Sequence, residues 1–493
     1  MFSDIKAVTK HFFIYGMGSI LGRIASFILL PLYTHYLSTS EYGTLDLLEL
    51  TTYIIGMFLA AGISHSLLRF YYDSEDPERR KLVVSTSLIS ISVVSLLGFV
   101  ILSLSASSIS ELVFKNQDYI TLFRLVFLSL MFSLISEIPL SLFRAQQRSV
   151  LYTIISLIRL VLTLSLNILF IVGFKWGIKG IILSSLCIQA LSGVVLTSMI
   201  LKQVGLKFSV PIFKEMLKYG IPLIPEGAGY FVLNFADRFI LQRFTNLSEV
   251  GLYSLGYKFG MIISPMITDP FLSIWRPKMF ETSKREDAKN LYSVMFTYFM
   301  FVEIFAGLFI SILIIDALKI ISSPEFYSCY KIVPLISFSY ILMAGYFFVQ
   351  MGLLQRKKTK HVAYIVLVAA GINVGLNLLL VPRLGMWGSA ISTILSFIVL
   401  FIFNYAVSNT IYYIKYQYLR LAKMLVLAVS LYFLASAINI DSFILSISTR
   451  TIIALSFPLL LYVLRFYTPE EIQKIKNIIA RVLNSFRSKG KAK

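Results

Sequence analysis

Residues 40–45 read SEYGTL and residues 248–253 read SEVGLY. The fragments stand 208 positions apart, and two further pairs keep that spacing: Gln147-Arg148 with Gln355-Arg356, and Gly177 and Gly180 with Gly385 and Gly388. One offset held by separate motifs marks an internal duplication. The duplicated unit is a set of membrane spans. Apolar windows of ~20 residues, enough to cross a bilayer at ~1.5 Å rise per residue, recur from end to end. They predict spans at 11–37, 43–68, 82–105, 119–142, 150–173, 178–201, 215–242, 250–275, 291–316, 328–354, 361–382, 386–408, 420–439 and 443–466. Each repeat holds six spans, an even number, so both copies take the same orientation, and a pseudo-two-fold axis along the membrane normal is expected.

The expected architecture is an all-α polytopic membrane protein of about 14 transmembrane helices. Two six-helix lobes, 1–207 and 208–412, are followed by two extra helices over 413–467 and a basic tail over 468–493. Composition agrees. Of 493 residues, 57% are hydrophobic and only 14% charged, with mean hydropathy +0.80; a soluble chain carries roughly 25% charge. The short alternating strands of a β-barrel are absent from the sequence pattern.

A net charge of +20 would point to nucleic acid in a soluble protein. Here the basic residues gather in every second loop, as in Arg79-Arg80-Lys81, Lys202 to Lys218, Arg276 to Lys289 and Arg356 to Lys360. The intervening loops hold one or two each, such as Lys115 or Arg383. That asymmetry places both termini in the cytoplasm and accounts for most of the basic excess without nucleic acid. Cys187 and Cys329 form neither a disulfide framework nor a zinc pattern. Arg23 interrupts the first apolar run, which is also long for a signal peptide, so an uncleaved first helix is expected.

The stretch LPLYTHYLSTSEYGTLDLLEL, 30–50, and the stretch NLLLVPRLGMWGSAISTIL, 377–395, resemble the polysaccharide-export branch of the multidrug/oligosaccharidyl-lipid/polysaccharide (MOP) flippase superfamily. The first is similar to that family's turn from span 1 into span 2, the second to its Asn-apolar-Pro, Gly-x-x-Gly connection between spans 11 and 12. The resemblance covers nearly the whole chain and its 6 + 6 + 2 layout. It implies a MATE-like fold and a flippase of the bacterial inner membrane. Its cargo would be an O-antigen or capsule repeat unit linked to undecaprenyl pyrophosphate, moved from the cytoplasmic to the periplasmic leaflet. A polysaccharide polymerase and a chain-length regulator would be its partners.

Ionisable residues inside spans are expensive and mark function by default. Arg23 and Arg159 lie nearest their span centres; Arg124 and Arg238 lie toward span ends, where salt bridging or snorkelling competes; Lys258 sits in span 8. Guanidinium forks match the oxygens of a pyrophosphate, so these five are the candidate substrate-binding residues. Asp46 and Glu49, spaced i, i+3 on one helix face, are the candidate ion-coupling pair for Na+ or H+, or else partners of a cavity arginine. Asp237 beside Arg238 reads as a local charge pair. Pro222 and Pro225, in GIPLIPEGAGY, predict a bend in span 7. The resemblance makes that bend a hinge.

No metal site and no cofactor is expected: His11, His35, His65 and His361 are scattered, and no phosphate-cradling glycine loop is present. An enzyme acting on polyprenyl-linked sugars would need catalytic acids or bases in sizeable periplasmic loops, and those loops are short. A cation-coupled drug or small-molecule antiporter of the same superfamily is the nearer alternative. In the tail, Ile472, Ile475, Ile479, Val482 and Phe486 form one apolar stripe amid Lys474, Lys476, Arg481 and Arg487. That pattern predicts an amphipathic helix on the anionic inner leaflet.

Overall fold

A computed structural model describes residues 27–356, 358–438, 440–473 and 477. Arg23 and most of the basic tail lie outside the described residues, which contain α, 3-10 and π helices and no strand. Helix α1 is described over 27–36. Then follow α2 (Thr39–Ala60), α3 (Ile63–Tyr72), α4 (Pro77–Leu104), α5 (Ala106–Phe114), α6 (Ile120–Ala145), α7 (Ser149–Asn167) and α8 (Gly177–Val204). Next come α9 (Val210–Gly220), α10 (Ile224–Phe235), α11 (Asp237–Phe244), α12 (Leu247–Met261), α13 (Asp269–Thr282) and α14 (Ala288–Ile321). The chain ends with α15 (Val333–Val349), α16 (Met351–Gln355), α17 (Thr359–Leu384), α18 (Met386–Ile411), α19 (Tyr418–Ala437) and α20 (Phe443–Val463).

Eleven helical stretches among the described residues are long and apolar enough to cross a membrane. They coincide with eleven of the expected spans. The other three differ for physical reasons. The span at 11–37 begins outside the described residues. The span at 215–242 is broken: a 3-10 turn, Ile221–Leu223, holds Pro222 between α9 and α10, and Ala236 separates α10 from α11. The span at 250–275 is broken by a π turn, Ser264–Thr268, that contains Pro265. A proline lacks the N–H that would continue the ladder and crowds the preceding turn. The expected second span also breaks, at Ala61 and Gly62, whose φ of 45° and 68° end α2 and restart the chain as α3.

The chain divides into two compact units. The first comprises Met1–Leu255, Leu318–Cys329 and Ala363–Ser396. Its apolar core runs through Leu67, Val84, Leu88, Ile138, Phe143, Ile200 and Met216, where α3, α4, α6, α8 and α9 pack. In lipid, helices associate by close packing and internal hydrogen bonds, since tails are as apolar as leucine. Buried serines accordingly bond backbone carbonyls: Ser87 to Val83 O at 2.7 Å, Ser90 to Thr86 O at 2.6 Å, and Ser66 across to Met216 O at 2.8 Å.

The second unit comprises Gly256–Ala317, Tyr330–Val362 and Phe397–Lys493. Its core is aromatic. Phe271 stacks on Phe299 at 4.3 Å between ring centroids, and Trp275 on Phe348 at 5.6 Å. Asp316 of α14, fully buried, accepts from Arg450 at 2.9 Å and Ser446 at 3.0 Å, tying α14 to α20. At the start of the tail, Glu471 accepts from Arg420 of α19 at 2.9 Å and from the Thr468 N–H at 2.8 Å.

Candidate functional site

The repeated motifs build equivalent local structures. Gly177 and Gly385 both take left-handed backbone, φ 53° and 55°, which glycine adopts without steric cost. In each repeat the motif glutamate reaches that turn. A Cβ on Gly177 would stand 3.2 Å from Glu41 Oε1, and one on Gly385 would overlap the Glu249 carboxylate, whose Oε1 accepts from the Met386 N–H at 2.7 Å. The two copies of the motif also meet. A Cβ on Gly43 would strike Leu247 O and Gly251 N; one on Gly251 would strike Thr39 O and Gly43 N.

Beside this crossing lies a buried charge cluster. Arg238 donates to Asp237 at 2.8 Å and to the Asn234 carbonyl, and its Nε lies 3.5 Å from Asp46 Oδ2. Ser254, the repeat equivalent of Asp46, donates to Asp46 Oδ2 at 2.6 Å. The Tyr253 hydroxyl donates to Asp237, with Thr393 at 3.4 Å from the same oxygen. All three charged side chains are nearly inaccessible. Two carboxylates against one guanidinium leave the cluster negative, and its hydroxyl donors supply part of the compensation.

A cavity of about 660 Å³ opens in the first unit beside the break between α9 and α10. Its wall carries Glu49, Thr52, His65, Ser133, Glu137 and Gln189, and Gly62, Gly220, Leu223 and Ile224 form the side next to the proline turn. Gly220 lies against Ala61 O and Gly62, so two chain breaks, α2 to α3 and α9 to α10, touch where the cavity begins. Two arginines bond residues of this wall. Arg144 donates to Glu137 at 2.6 Å and Arg159 to Gln189 at 2.8 Å. The wall is mainly apolar, and the polar side chains set into it offer acceptors and donors to a hydroxyl-rich or charged guest.

The sequence-predicted residues fall in different places. Arg159 reaches the cavity through Gln189. Arg238 is held by Asp237 and Asp46, the adjacent pair read from the sequence with a second carboxylate added. Arg124 is exposed near the start of α6, its Nε 3.4 Å from Ser103 O. Lys258 is part-buried on α12. Asp46 and Glu49 meet different surroundings, Asp46 buried in the charge cluster and Glu49 on the cavity wall. Pro222 lies in the break that borders the cavity, and Pro225 in the first turn of α10 just after it. The sequence marks neither Gln189 nor Ser254 as a site residue, and it reads His65 only as one of four scattered histidines. For Ser254 a signal existed, because the 208-residue offset sets it opposite Asp46.

The architecture is a multi-pass, all-helical fold that two solved membrane proteins share. It superposes on a lipid II flippase, MurJ, in an inward closed conformation with TM-score 0.74, covering 92% of this chain and 100% of that one at 13% identity. It superposes on an inward-facing multidrug-resistance MATE transporter of the MOP superfamily with TM-score 0.61, covering 79% of this chain and 94% of that one at 15% identity. The chain belongs to the polysaccharide biosynthesis protein family, whose model matches residues 8–283. Among curated proteins it is 20% identical to an uncharacterised membrane protein of Methanocaldococcus jannaschii, over 56% of this chain and 55% of that protein. It is 24% identical to an uncharacterised membrane protein of Haemophilus influenzae, over 57% of this chain and 68% of that protein. The match thus spans about half the length of the archaeal relative.

Proposed function

We propose that this protein is a flippase for a lipid-linked oligosaccharide. It carries an undecaprenyl-pyrophosphate-linked O-antigen or capsule repeat unit from the cytoplasmic to the periplasmic leaflet of the bacterial inner membrane. The observation that carries this reading is the 660 Å³ cavity beside the proline break of span 7, a mainly apolar wall set with polar side chains, of which Gln189 and Glu137 are bonded by Arg159 and Arg144. Family membership and a fold shared with a lipid II flippase support it. Two six-span halves, 1–207 and 208–412, rock about the midplane, with Pro222 and Pro225 as the hinge. Arg23 and Arg159 supply the positive charge that meets the pyrophosphate, while Arg238 stays tied to Asp46 and Asp237 in the buried cluster, and Glu49 on the cavity wall couples transport to a Na+ or H+ gradient. Both termini face the cytoplasm, where the polymerase and chain-length regulator partners complete the export route. The protein moves its cargo without changing it and is not an enzyme.

A second reading has an observation of its own. The carboxylates Glu49 and Glu137 on the cavity wall would suit a cationic guest, as in a drug antiporter. One experiment separates the two. The full chain is reconstituted in proteoliposomes holding a fluorescent polyprenyl-pyrophosphate oligosaccharide, and leaflet exposure is followed with a membrane-impermeant quencher under an imposed gradient. Flipping of the glycolipid with no uptake of organic cations supports the flippase; the reverse pattern establishes the antiporter. Reporter fusions after Lys81 and near Lys115 test the orientation, the first cytoplasmic and the second periplasmic.

A further inference from the structure

Glu303 stands at the middle of α14, the longest helix among the described residues, with none of its surface accessible. Its Oε1 accepts the hydroxyl of Thr268 at 2.8 Å. Its Oε2 is buried with no hydrogen-bond partner among the described residues. Its helix neighbours Phe299, Met300 and Ile304 belong to the apolar core cluster of the second unit, against which Phe271 also packs. The charged group that acts on it is Asp269, the first residue of α13, and it is of the same sign. Of the other charges near α14, Asp316 pairs with Arg450 on one side and Arg420, over the Tyr298 ring, with Glu471 on the other, and Lys289 and Lys319 lie in the first and last turns of the helix, far along it from Glu303.

A bare carboxylate in that place faces a desolvation cost with no cation to offset it. A metal ion does not fit. No group of three or more His, Cys, Asp or Glu side chains converges among the described residues. One carboxylate and one hydroxyl also fall short of the oxygen shell a hard cation takes. A proton does fit: bound to Oε2 it turns the group into a neutral acid, while Oε1 keeps the Thr268 hydroxyl as donor. Thr268 closes the π turn Ser264–Thr268, and such turns are locally unwound and recur at functional sites. We propose that Glu303 is a proton-binding site inside the second unit, exchanging its proton as the π turn that holds Thr268 rearranges. It is a site separate from the cavity of the first unit and stands whether the cargo is a glycolipid or a drug.

The test is infrared difference spectroscopy on the full chain in lipid nanodiscs, stepped in pH and transferred to deuterated buffer. The wild type is expected to show a protonated-carboxyl carbonyl band that shifts on deuteration and falls as pH is raised. Glu303→Gln, which keeps size and the acceptor for Thr268, loses that band and takes up one proton fewer per chain in a dye-monitored acid step. Thr268→Val leaves the band but moves it, because the donor to Oε1 is gone. Identical carboxyl bands in wild type and Glu303→Gln overturn the proposal. So does a band that neither shifts on deuteration nor responds to pH, since that group would hold its proton without exchange.

Discussion

Gly43 and Gly251 occupy the same position in the two repeats and lie against each other, each where a side chain of the other would have to go. The local two-fold relation therefore passes between them, and Asp46 and Ser254, also equivalent, hydrogen-bond across it at 2.6 Å. Backbones approach this closely only where both helices present no Cβ, the device membrane helices use when packing rather than hydrophobicity holds them.

Alanine at either glycine is expected to destabilise the protein by about 1–3 kcal/mol through forced displacement of backbone. Gly43→Ala with Gly251→Ala should cost less than the sum, because the first substitution already separates the helices. Thermal denaturation of the purified protein in detergent reads both values, and two neutral single variants would show that the backbones are not in contact.

Arg238 is the cation shared by two buried carboxylates, Asp46 and Asp237. Removing it as Arg238→Ala leaves like charges facing each other and should cost roughly 3–5 kcal/mol, the range for breaking a buried pair. Adding Asp46→Asn should recover part of the loss. A double-mutant cycle on unfolding free energy measures the coupling, and additive single effects would dissolve the cluster as a unit.

Arg159 acts on the cavity through Gln189. On the flippase reading, Arg159→Ala should lower apparent substrate affinity by about 10- to 100-fold, the worth of a charge-assisted contact of ~1.5–3 kcal/mol. Gln189→Leu should reproduce much of the effect by cutting the relay. Transport at graded substrate, with insertion checked by protease protection, decides it; full transport by both variants removes this wall from the pathway.

The tail clamp should respond to acid. Burial acts to raise the Glu471 carboxyl, but the Tyr298 hydroxyl, the Thr468 N–H and Arg420 outweigh it and hold the group below the ordinary carboxylate range. A depressed folded-state value stabilises the clamp above the unfolded value and loses that contribution as pH falls through the folded one. Limited proteolysis after residue 467 should therefore be slow near neutrality and fast in acid, and Glu471→Gln should be fast at both.

The sequence by itself determined whatever depends on neighbours in the chain. Hydropathy located the spans that remain unbroken helices, the 208-residue offset marked Gly177 and Gly385 as paired turns, Pro222 and Pro225 marked the break in span 7, and adjacency paired Asp237 with Arg238. Tertiary structure decided the rest. Asp46 and Glu49 share a helix face by spacing, yet one turns into a charge cluster and the other onto a cavity wall. Arg159 finds its partner thirty residues on, at Gln189, and Glu303 finds Thr268 on a π turn as its hydrogen-bond partner among the described residues. Apolar periodicity is a local property that fixes where a helix runs. The polar group a buried charge meets depends on how distant helices are rotated and packed around it, and in lipid an unmet charge has no water to turn to.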